Sequence, residues 1–67
     1  MPRKTTLEQT YWFLAGKTRA EAINWLIMAR EAKDAGDAAR VRIRAAYALD
    51  CERASIRYIK SARRIAA

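Results

Sequence analysis

Sixty-seven residues make one small domain, and a chain of this size buries only about 60% of its unfolded surface, so it needs added support. One cysteine and no histidine exclude an intrachain disulfide and the usual Cys/His zinc sites, which leaves association with another chain. Fourteen Lys/Arg against seven Asp/Glu give a net charge of +7, a balance that suits an anionic partner.

Met1–Thr6 is basic, but no apolar core of the length a secretory signal needs follows it. The lone thiol suits a reducing compartment, so a cytoplasmic location is expected. Alanine is abundant, proline occurs only at Pro2, and glycine occurs only at Gly16 and Gly36. Alanine is the best helix former and the breakers sit at plausible helix ends, so the chain reads as all-α.

In chain order, residues 1–5 form a basic arm carrying Arg3 and Lys4. Thr6-Leu7-Glu8-Gln9 is a capping box, and Leu7, Tyr11 and Leu14 then share one helical face. Residues 14–18, Leu-Ala-Gly-Lys-Thr, resemble the end of a phosphate-binding loop. That loop needs a glycine five positions before Gly16, where Tyr11 stands, and a preceding strand, which is missing. Gly16 is instead expected to end the first helix. Thr18-Arg19-Ala20-Glu21, a second Thr-x-x-Glu box, would start the next. Gly36 closes that helix and Asp37 caps the last. The expected architecture is a single helical domain over 1–67. It has three helices, about 7–15, 19–34 and 38–65, forming a helical hairpin with a short N-terminal helix.

The long C-terminal helix reads as apolar on two sides. Ala39, Ile43, Tyr47, Ala54, Tyr58 and Ile65 lie on one, and Val41, Ala45, Ala48, Leu49, Ile56 and Ile59 on the other. Two stripes imply burial on two sides, which favours a homodimeric helical bundle. A back-folded 19–34 helix would cover the long helix only to about residue 54. The first helix or a second subunit would have to cover the rest. The run Tyr11-Trp12-Phe13-Leu14 cannot all face one core. Tyr11, Trp12, Phe13 and Trp25 are therefore candidate interface aromatics. Cys51 reads as a small apolar residue.

Charge carries the functional signal. Residues 1–37 hold six Lys/Arg and five Asp/Glu, and residues 38–67 hold eight and two, so the excess is +1 and then +6. Arg53, Arg57, Lys60 and Arg64 recur at i, i+4, i+7, i+11 as one ridge, and Arg42 extends it toward the N-terminus. Asp50 is expected to pair with Arg53, Arg57 or both. A one-sided basic ridge is the footprint of a polyanion. It points to a small basic non-enzymatic regulator that binds nucleic acid, DNA or RNA. The alternative is an inhibitor or adaptor that docks on an acidic protein.

A helix-turn-helix is disfavoured. Ala32-x-x-x-Gly36 has the right spacing, but the apolar position six residues on is Arg42. A paired-helix dimer presenting arginines to phosphates fits better. In outline it is similar to the helical-hairpin bundles that bind folded RNA in plasmid copy control, a likeness of architecture alone. Membrane-surface binding is disfavoured because the apolar residues of 53–66 are spread around the wheel. No catalytic residues, metal ligands or cofactor site are expected. There is no nucleophile–base pair, and Asp50 and Glu52 lie on different sides of the helix.

Overall fold

The computed structural model describes residues 6–67. Over these the chain forms two helices rather than three: α1, Leu7–Asp34, and α2, Ala38–Ala66. They fold back on each other as a helical hairpin. The all-α class holds. The expected arm at 1–5, with Arg3 and Lys4, lies outside the described residues.

The helix ends follow from local chemistry. The Thr6 hydroxyl accepts from the Gln9 N–H at 3.1 Å, and the Gln9 side-chain oxygen accepts from the Thr6 N–H at 3.0 Å. These two bonds complete a capping box. At the other end, the Asp37 N–H donates to the Ala32 carbonyl at 2.9 Å and the Gly36 N–H to the Lys33 carbonyl at 3.0 Å. Gly36 has φ 73°, the left-handed conformation that glycine adopts at little cost in this helix-ending motif. Asp37 then caps α2, its carboxylate accepting from the Arg40 N–H at 3.1 Å.

The break expected at Gly16 does not occur. α1 runs straight through it. Thr18 starts no helix; its hydroxyl donates back to the Leu14 and Ala15 carbonyls at 2.9 and 3.1 Å. A glycine inside a helix costs only about 1 kcal/mol relative to alanine. The continuous packing of α1 against α2 outweighs that cost.

That packing has a seven-residue rhythm. On α1, Glu8, Tyr11, Ala15, Thr18, Ala22, Trp25, Ala29 and Ala32 are buried or half-buried, spaced alternately by three and four. On α2, Val41, Arg44, Ala48, Cys51, Ser55, Tyr58 and Ala62 follow the same rule. This alternation is the repeat of a coiled-coil seam. Three consecutive seventh residues on each helix are small: Ala15, Ala22 and Ala29 on α1, and Ala48, Ser55 and Ala62 on α2. Among the described residues the buried positions are six alanines and Ser55.

Small contacts set a short interaxial distance, and α2 side chains reach the α1 backbone. The Ser55 hydroxyl donates to the Ala15 carbonyl at 2.9 Å, and the Arg44 guanidinium donates to the Met28 carbonyl at 2.7 Å. With Tyr11 against Tyr58 near the open end, these contacts fix an antiparallel pair in register along most of its length. Such a pair is not a helix-turn-helix, whose helices cross steeply.

The two apolar sides expected for the C-terminal helix are accordingly not both core. The seam runs between them, taking Tyr58 from one and Val41 and Ala48 from the other. Ile43, Tyr47, Leu49, Ile56 and Ile65 remain exposed. The far turns of α2 are covered by the N-terminal half of the same continuous α1.

Two glycine substitutions separate this architecture from a three-helix one. A Cβ added at Gly16 meets nothing within 4 Å, so Gly16→Ala should raise stability by up to about 1 kcal/mol, or roughly 4–8 °C in melting temperature. Gly36→Ala should lower it by about 1–2 kcal/mol, because its backbone is left-handed. Circular-dichroism melts check both, and a fall for Gly16→Ala would place a helix end there. Ala22→Leu should destabilise by about 1–3 kcal/mol in the same assay, because the seam has no room for a branched side chain.

Candidate functional site

Arg53, Arg57, Lys60 and Arg64 lie on the side of α2 turned away from α1, and all four are exposed. Their spacing of four, three and four keeps them in line over about 16 Å. They do not pair with carboxylates. The one ion pair among the described residues is Arg40 to Asp37, at 3.3 Å beside the turn. Asp50 is exposed and forms no ion pair with Arg53 or Arg57, contrary to expectation. Its short side chain on an exposed helical surface gains little from holding a solvated arginine.

Arg42 is exposed too but stands apart. It is three turns before Arg53, roughly 16 Å along the axis, with Asp50 between them. It lines a shallow hollow at the turn with Lys33, Gly36, Asp37, Ala38 and Val41. Arg42 is on the same side of α2 as the four other candidate cations, three turns nearer the hairpin turn. Arg44 is withdrawn from the surface set by its bond to the Met28 carbonyl. Arg63 is exposed beside the ridge, toward the neighbouring broad face.

The four candidate aromatics divide. Tyr11 packs on Tyr58 with ring centroids 6.1 Å apart, and Trp25 packs on Tyr47 at 4.8 Å. These tilted pairs tie α1 to α2 along one broad face of the hairpin. Trp12 and Phe13 point outward, 44% and 69% exposed. Phe13 sits on the outer edge of α1, across the width of the hairpin from the ridge on the outer edge of α2.

Cys51 is half-buried in the seam. Among the described residues no three His, Cys, Asp or Glu side chains gather as metal ligands, and no helix is long and apolar enough to cross a membrane. Two working residues were not apparent from composition: Ser55 and Arg44, both engaged with the α1 backbone. The signal for Ser55 was the seven-residue spacing of Ala48, Ser55 and Ala62, which a hydrophobicity wheel passes over. Comparison with protein-family models, curated proteins and solved structures finds no match to this chain.

The arginines should differ sharply on truncation. Arg44→Ala removes a charged donor from a partly buried carbonyl contact and should cost about 1–2 kcal/mol. Arg57→Ala touches only solvent and should stay within about 0.5 kcal/mol of the parent. Urea unfolding of the two variants measures the difference, and equal losses would mean that the ridge has a structural role.

Proposed function

We propose that this chain is a small non-enzymatic regulator that binds nucleic acid through the outer edge of α2. The observation that carries this is the row Arg53, Arg57, Lys60 and Arg64, exposed, in line and free of ion pairs. Phosphates of a DNA or RNA backbone supply the complementary row of charge, and their counterions are released on binding. Arginine suits the task because its planar fork can bind a phosphate oxygen pair. The ridge reads no base by itself, so binding is expected to be tolerant of sequence. We place the protein in the cytoplasm, which suits a single unpaired thiol.

The second reading is docking on an acidic protein, favoured by the outward-pointing Trp12 and Phe13, since aromatics dominate interface hot spots. The ridge and Phe13 lie on opposite edges, so a partner using both would have to wrap around the hairpin. A nucleic acid needs only the ridge.

Binding to random duplex DNA and to structured RNA across a salt series tests the proposal. Four phosphate contacts predict a log–log slope on duplex DNA of about −3 to −4 for each ridge engaged. Charge reversal, Arg57→Glu with Lys60→Glu, should abolish binding. Absence of binding at low salt would overturn the proposal and leave the acidic-protein reading, to be probed by pull-down with Trp12→Ala as the control.

A further inference from the structure

The hairpin is one layer thick. Its Cα atoms span 50 × 27 × 11 Å, whereas a stable domain packs at least two layers around its core. Among the described residues no large side chain is fully buried. The chain exposes 5636 Å², against about 4,300 Å² for a compact monomer of the same mass. The excess, about 1,300 Å², is what one subunit contributes to a permanent dimer interface.

One stretch of the uncovered apolar surface forms a groove. On the broad face opposite the aromatic pairs, Ile23 and Leu26 of α1 line one groove with Ile56 and Ile59 of α2. Leu49 continues this band one helical repeat before Ile56. Ile23, Leu26, Leu49 and Ile56 are each 46–56% exposed, far more than branched aliphatics at a helix–helix seam.

We infer that this aliphatic face is the interface with a second copy of the chain, two hairpins stacking into a four-helix bundle. Exposed Arg63, seven residues after Ile56, adds a cation at the end of this face, and the groove itself holds both signs of charge, which suits a copy. Arg19 and Glu52 line the same groove and make no ion pair with each other. In a two-fold contact, residue i of each subunit meets residue j of the other, so one basic and one acidic group are self-complementary. A polyanion or an anionic lipid surface would meet Glu52 unfavourably, and phosphates gain nothing from isoleucines. A copy is also the one partner present at matching concentration wherever the chain is made. The dimer leaves both ridges on its outer edges. Dimer mass and nucleic-acid binding are therefore independent statements.

Light scattering on the full chain at tens of micromolar should give twice the 7.7 kDa chain mass. A monomeric mass overturns the inference. Ile23→Asp with Ile56→Asp should halve the mass of the parent dimer; a variant that stays dimeric also overturns it. Because that double variant can unfold, thiol labelling provides a second test. In a Cys51→Ala background, Ile56→Cys should react at least about tenfold more slowly than Lys60→Cys, its rate set by opening of the interface. Equal rates in a dimeric sample would place the contact on another face and overturn the assignment.

Discussion

The close approach of α1 and α2 along a seam of small residues is the constraint on which the rest of the structure depends. Alanine or serine at three consecutive seventh positions on each helix lets the two backbones come near enough for Ser55 and Arg44 to reach α1 carbonyls. Such a seam is specific in geometry and poor in hydrophobic energy. A buried methyl contributes only about 0.8 kcal/mol, where a buried leucine or isoleucine contributes about 1.5–3. The seam fixes which residues face inward and by how much the helices are offset. It leaves most of the available apolar surface unspent.

The rest of the molecule sorts around that seam. One broad face is crossed by Tyr11 on Tyr58 and Trp25 on Tyr47, with Ile43, Tyr47 and Ile65 still exposed on it. The other keeps its isoleucines and leucines open. The outer edge of α1 carries exposed Phe13 and Ile27, and the outer edge of α2 is cationic. Like charges at i, i+4 destabilise a helix by a few tenths of a kcal/mol each. Here the repulsion falls on a helix tied down along its opposite side, and near a C-terminus where the dipole favours positive charge. A basic ridge is thus inexpensive at this position, and it projects away from every packing surface.

Gly16 and Gly36 show how context decides the meaning of a residue. Both follow a plausible helix and precede a plausible cap. At Gly36 the seam has run its course, the backbone turns left-handed, and Asp37 is free to start α2. At Gly16 the seam continues on both sides, with Ala15 before it and Thr18 after it. The capping option of Thr18 is lost to its bonds with Leu14 and Ala15. Local signals were equal in kind; the difference is that interrupting α1 there would break a run of interhelical contacts.

The sequence by itself determined the helical class, the capping box at Thr6, the turn at Gly36-Asp37 and the one-sided charge of the C-terminal helix. These depend on propensity and on neighbours within four residues, which a single chain displays. Only the tertiary structure decided that α1 is continuous and that alanines rather than isoleucines form the seam. It also decided that Arg44 is structural and that Ser55 is bonded to α1. Each of these depends on where α2 lies relative to α1. That was fixed by how closely two backbones can approach, which side-chain size governs and hydrophobicity does not report.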